Sequence, residues 1–347
     1  MSATRNNSGF SLIELLVALA IGGFLIIGAV TMQSNSRKTF TINEQQARLQ
    51  ETARYVISVI EPEIELAGVY GYTNRPEDVH LFSPSKGSQD LRTWSTQVGG
   101  LPAGTESCGK HYALDIISSV QATNNSYTLT CAAQGGGHNG TSDTITIRHA
   151  STVATGYANN KLQLITARLS QLDTQMYVGA KPDVLSDGSV EIRDMVVQSF
   201  YVARNSDSRV GLPALRAKIL TTDGFAPWVD DQEVIRGVED IQVEFGVDPG
   251  IDTNGDGIAE YVSAMTKRYV PPDSALVQTG QVSAVRLWVR VRAEDPEPGF
   301  VDNRTYSYAG TTFTPTATDH FRRVLMSRTI FLRNARGLEI VDALPPT

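Results

Sequence analysis

The sequence predicts an α+β fold in which one long N-terminal helix packs on antiparallel β-sheets, and three observations carry that prediction. An apolar run near the N-terminus passes directly into a one-faced helical pattern. Beyond it, short segments alternate apolar with polar residues. Clusters of Gly, Pro, Asn and Asp punctuate those segments.

The apolar run comes first. Phe10 to Val30 spans 21 residues in which Glu14 is the only charge and Ser11 the only other polar side chain. At the helical rise that run is about 31 Å long, enough to cross the hydrocarbon core of a bilayer. It is too long for the apolar region of an ordinary signal peptide, and no small-x-small cleavage site follows it. A membrane anchor is therefore expected. Arg5 precedes the run while Arg37 and Lys38 follow it, so flanking charge does not fix the orientation.

The pattern then becomes one-faced. Ile42, Leu49, Ala53, Val56, Ile57, Ile60 and Ile64 fall on one helical stripe, with Glu44, Arg48, Glu51 and Arg54 on the opposite side. The helix should thus continue beyond the membrane and lay its stripe on a folded domain. Pro62 has no amide to donate and disfavours helix at Glu61, which predicts a break or kink there. Gly68 is a suitable stop. The helix is predicted over residues 10–67, membrane-spanning to about 30 and amphipathic from about 31, with a β-rich globular domain over 68–347.

Strands follow. Ile145 and Ile147, then Ile241, Val243, Phe245 and Val247, then Val285, Leu287, Val289 and Val291 alternate with polar neighbours, as a sheet with one buried face requires. Phe200 with Val202, Leu215 with Ala217, and Ile330 with Leu332 suggest three more. Turn clusters at residues 135–140 and 295–299 separate such elements.

Composition bounds the function. A formal charge of −7 argues against nucleic acid as the main partner, because phosphate binding needs clustered Lys and Arg. The two cysteines, Cys108 and Cys131, read as a disulfide if the domain folds outside the cytoplasm, and as two unrelated buried thiols otherwise. A disulfide there would close a loop of just over twenty residues. Such a loop is worth roughly 3 kcal/mol on the chain-entropy model.

Glu14 is the costly residue, since a lone ionisable group near one end of a membrane span needs escape to the interface or a partner. By one reading it snorkels from the first helical turn, where a carboxylate suits the helix dipole. By the other, cleavage after the small residue Gly9 makes Phe10 the new N-terminus. Its ammonium group then meets a Glu14 on a neighbouring chain.

Gly9-Phe10-Ser11-Leu12-Ile13-Glu14-Leu15-Leu16-Val17-Ala18-Leu19 resembles the leader junction of type IV pilins and type II secretion pseudopilins. The resemblance implies a leader over residues 1–9, cut after Gly9 by a prepilin peptidase that also methylates Phe10, and a docking role for Glu14 with Phe10. It implies a cytoplasmic leader and a periplasmic domain anchored by a single pass in the bacterial inner membrane, later carried into the pilus fibre or its tip. Val234 to Val247 (VIRGVEDIQVEFGV), Asp252 to Val262 (DTNGDGIAEYV), Val285 to Arg292 (VRLWVRVR) and Arg322 to Asn334 (RRVLMSRTIFLRN) resemble PilW-type minor pilins. A low-abundance filament subunit without enzymatic activity is then expected, helping to prime or cap a type IV pilus. Its partners would be other minor and major pilins, the inner-membrane assembly platform, the prepilin peptidase and a tip adhesin. Two alternatives stay open: a J-like pseudopilin of a type II secretion system, and a membrane-tethered adhesin or enzyme with a pilin-like anchor.

No cofactor is required by this reading, and one metal is a candidate. Asp252, Asn254 and Asp256 occupy positions one, three and five of a calcium-loop pattern, with Gly257 at six and the Ile258 carbonyl at seven. Ser263 stands where a bidentate Glu belongs, and Glu260 is the available compensation. The competing reading is a glycine-rich turn between strands. The histidines His80, His111, His138, His149 and His320 form no HExxH or closely spaced ligand set, and no GxSxG elbow is present. The glycines at 135–140 lack the GK[ST] ending of a phosphate loop. Arg286, Arg290 and Arg292 share one strand face beside Trp288, which reads as a solvated sheet face or as a surface for an acidic or nucleic-acid partner.

Overall fold

The computed structural model describes residues 11–73, 76, 79–83, 87–90, 105–109, 111–167, 174–179, 190–250, 265–279 and 281–334. By its internal packing the chain divides into two units, Met1–Arg48 and Leu49–Thr347.

Helix α1 covers Leu12–Leu66. In the first unit its apolar side chains, Leu12 and Ile13 through Ile26, Ile27 and Val30, are exposed. The stretch is long and apolar enough to cross a membrane, and none of that window is buried within the chain. Past the apolar run, threonine hydroxyls donate back to the preceding turn, Thr31 to the Ile27 carbonyl at 3.0 Å and Thr39 to that of Asn35 at 3.0 Å. These bonds satisfy polar groups without leaving the helix.

In the second unit the stripe read from the sequence is buried: Leu49, Ala53, Val56, Ile57, Ile60 and Ile64. Pro62 does not break the helix, which runs on to Leu66. Ile60 and Ile64 are both fully buried on either side of it, so packing holds the last turn against proline's local preference. Gly68, at φ +80°, ends the helix as expected, and its amide donates to the Arg148 carbonyl at 3.2 Å. Asn334 donates to the Glu65 and Ala67 carbonyls, closing the helix end.

Against this stripe lie two sheets. Among the described residues the larger holds nine strands: β1 (Val79–Ser83), β2 (Gly87–Asp90), β3 (Val120–Thr123), β4 (Thr144–Ala150), β5 (Leu162–Ala167), β6 (Thr174–Val178), β7 (Val190–Ala203), β8 (Ala214–Thr222) and β9 (Pro227–Arg236). Its order is β2-β1-β6-β5-β7-β4-β3, with β8 and then β9 branching from the far half of β7. The 14-residue β7 makes this branch, because its first half pairs with β5 and its second half with both β4 and β8. One pairing departs from the antiparallel expectation: β1 runs parallel to β6. The smaller sheet contains β10 (Val238–Asp248), β11 (Arg268–Val270), β12 (Gln281–Arg292) and β15 (Arg323–Phe331), in the antiparallel order β11-β10-β12-β15. A hairpin of β13 (Tyr306–Tyr308) and β14 (Thr311–Phe313) and a short helix α2 (Ala275–Thr279) complete the described elements.

The core joins all three layers. Ile145 and Ile147 of β4, Phe200 and Val202 of β7, Leu215 and Ala217 of β8, and the alternating sets of β10 and β12 pack with the α1 stripe. Asp143 splices the two sheets at the start of β4. Its amide donates to the Ile241 carbonyl at 2.9 Å, and its carboxyl accepts from the amides of Val243 at 2.7 Å and Asn125 at 2.8 Å. A second core on the other face of the large sheet gathers Tyr70, Tyr112, Leu114, Ile116, Met176 and Val197.

Candidate functional site

The described N-terminal end of α1 is a reciprocal cap. The Ser11 amide donates to the Glu14 carboxylate at 2.9 Å, and the Glu14 amide donates to the Ser11 hydroxyl at 3.3 Å. The sequence reading gave Glu14 no partner on its own chain, although the Ser-x-x-Glu spacing of such a box is the signal that could have found Ser11. Gly9 and Phe10 lie outside the described residues, so the structure does not place the cleavage junction relative to Glu14. Around Gly22, Gly23 and Gly28 of the exposed apolar helix an added Cβ would meet nothing within 4 Å. Small residues at such positions let a second helix approach closely in a membrane, where packing drives association.

Cys108 and Cys131 form a disulfide, with Cα atoms 4.4 Å apart. It pins the segment from Thr105, which carries Cys108, Tyr112, Leu114 and Ile116 into the second core. The Thr130 amide also donates to the Cys108 carbonyl at 3.1 Å, so the bridge and the backbone bond close the same seam.

The tentative calcium ligands Asp252, Asn254, Asp256, Ile258 and Glu260 lie outside the described residues. Among the described residues no group of three or more His, Cys, Asp or Glu side chains is placed to hold a metal ion. His149, which the sequence offers only as an isolated residue, ties β4 to α1: its Nε2 is 2.9 Å from the Glu63 carboxylate and its Nδ1 is 2.8 Å from the Ala150 carbonyl. His138 packs near Tyr127 and Tyr201, and burial pushes its pKa down.

The arginine face of β12 corrects the sequence reading, because Arg290 is only 4% exposed. The β13–β14 hairpin covers Arg290, whose guanidinium lies over the Phe313 ring, while Arg286 stays partly exposed. Arg290 donates to Glu239 at 3.0 Å and to the Tyr308 hydroxyl, and Arg323 donates to Glu239 at 2.7 Å and Asp319 at 2.6 Å. The Tyr308 hydroxyl donates to Asp240 at 2.5 Å. Burial works against an ionised Asp319, and its bonds to Arg323 outweigh that, holding the carboxyl below the usual range. These charges are spent on one another, so the arrangement clamps the hairpin to the sheet.

Comparison with known proteins agrees with the leader and with the later strands. The family described as Type IV Pilus-assembly protein W matches residues 199–334, which include all four stretches singled out after β8. The Prokaryotic N-terminal methylation motif matches residues 4–30. No curated protein matches. A solved Type IV-like pilin from Thermus thermophilus aligns at 16% identity over 56% of this chain and 80% of that one, with a TM-score of 0.24, a superposition too loose to bear on the assignment. Over these two regions the chain is similar to type IV pilin-like proteins of the PilW type, and its long apolar N-terminal helix and α+β head agree with that likeness.

Proposed function

We propose that the chain is a minor pilin that helps prime or cap a type IV pilus, after cleavage behind Gly9 and methylation of Phe10. The observation that carries this is the coexistence, in one chain, of the methylation motif over residues 4–30 and the PilW region over 199–334. The first alone fits any pilin-like protein, and the second favours the pilus over the secretion piston. Its work is structural. In the isolated chain Glu14 spends its carboxylate on the Ser11 amide. In a filament the stronger partner is the ammonium of an incoming Phe10, since a desolvated opposite charge stabilises a carboxylate more than a neutral amide does. The periplasmic head then makes the lateral contacts.

The experiment compares a deletion strain complemented with the parental chain or with Glu14→Ala. Loss of the chain should lower the number of pili per cell. Glu14→Ala should be cleaved normally, remain in the membrane fraction and fall at least about tenfold in sheared filaments, since a buried charge pair loses one partner. Unchanged pilus number in the deletion would overturn the priming role. Parental incorporation of the Glu14 variant would overturn the docking role.

A further inference from the structure

The turn between β8 and β9 holds an aromatic side chain out in solvent on an unusually well-braced backbone. Asp223 accepts at one carboxylate oxygen from the amides of Phe225 and Ala226, both at 2.8 Å, and its own amide donates to the Ala226 carbonyl at 3.1 Å. The Thr222 hydroxyl accepts from the Gly224 amide at 3.0 Å, and Gly224 takes φ +96°, which a side chain would resist. From a separate loop, Asn160 donates to the Gly224 carbonyl at 3.1 Å. These bonds bind three consecutive amides of the tip and its outermost carbonyl. On this support Phe225 is 92% exposed and Trp228, one residue into β9, is 50% exposed.

Single exposed apolar residues are common and need no explanation. A rigid turn presenting two aromatics is different, because rigid aromatic anchors contribute most of the energy at protein interfaces while losing little entropy on docking.

The surroundings select the partner. From Ile219 to Asp231 the chain carries Asp223, Asp230 and Asp231 and no Lys or Arg. Asp231 is engaged by Lys218 and Arg216, whereas Asp223 is held ionised by the turn amides. An acidic tip is repelled by anionic lipid and by nucleic acid. Strand addition along β9 is also blunted, by a register shift opposite Leu215 and Arg216 and by the carboxylate of Asp230. What remains is a side-chain contact at the tip.

We infer that the tip from Thr222 to Trp228 is a docking knob, with Phe225 seating in an apolar socket rimmed by Lys or Arg on a neighbouring pilin subunit. The inference rests on the chain being incorporated among pilins, and it adds the surface that selects the neighbour. Phe225 is the anchor, Trp228 the flanking contact, and Asp223 both shapes the turn and meets the basic rim.

The test uses the full-length chain in its native cell. Phe225→Ser should leave the unfolding temperature in place, because the removed ring touches little of its own protein, yet lower the chain in sheared filaments at least about tenfold. Phe225→Trp should restore it. A photo-cross-linking phenylalanine at 225 should give an adduct with a pilin subunit, and that adduct should vanish in Glu14→Ala. Parental incorporation of Phe225→Ser, or adducts with lipid only, would overturn the knob. If the parental chain is itself absent from sheared filaments, the filament reading fails first, and the two failures are thereby told apart.

Discussion

Asp143 is the residue on which the joint between the two sheets turns. Burial pushes its carboxyl up to about 7, with the nearby charges of Asp240 and Asp273 adding to the rise and the amides of Asn125 and Val243 opposing it. Asp240 is likewise raised by burial, to about 6, against the pull of the Tyr308 hydroxyl and Arg290. A carboxyl whose folded pKa lies above its unfolded value favours the fold while protonated. The stability it contributes is therefore complete below about pH 4 and is lost as pH rises through about 7. Thermal unfolding of the full chain in detergent should show stability falling by on the order of 2–4 kcal/mol over that window, and Asp143→Asn should flatten the slope. A slope of opposite sign in the parental chain would show that its two amide donors outweigh burial. At this scale a partner close in the chain leaves a spacing that can be read, though the pairing of Glu14 with Ser11 went unread, and a distant partner leaves none. Glu14 and Ser11 sit three residues apart. Arg290 meets Tyr308 only after the chain has left β12 and returned as a hairpin, so alternation alone left its face looking solvated.

At the scale of elements, α1 is where local preference and packing can be weighed against each other. Ile60 is fully buried in a core shared with both sheets, so Ile60→Ala should cost about 2–5 kcal/mol. Gln50→Ala, on the exposed side of the same helix, should stay within about 0.5 kcal/mol. Denaturant unfolding of the full chain in detergent checks both, and equal effects would show that the stripe does not pack. The stripe was readable because a helix with one buried face must repeat its apolar residues. The continuation through Pro62 was not, because it depends on Ile60 and Ile64 meeting strands more than eighty residues away in sequence. Strands β4, β10 and β12 were legible from alternation. The edge strand β9, reading PWVDDQEVIR, hid because its partly exposed, acidic pattern resembles a loop. The parallel pairing of β1 with β6 hid because register between remote segments leaves no local mark.

For the molecule as a whole, the anchor and the head obey different physics. The apolar half of α1 is exposed in the isolated chain and is long and apolar enough to cross a membrane. The head, by contrast, buries its stripe in a core shared with both sheets, pairs Arg290 and Arg323 with Glu239, and ties Cys108 to Cys131 by a disulfide. A disulfide in that position suits an exported domain. Such a division of labour fits the filament subunit proposed above, whose head would not need to refold on leaving the membrane.

Intact mass and N-terminal sequencing of the protein from its native cell, with sheared filaments and membranes analysed separately, tests this most directly. A chain beginning at methylated Phe10 and present in trace amounts among the sheared filaments is the expected result. A chain confined to the membrane and still beginning at Met1, or cut beyond Val30, would contradict it.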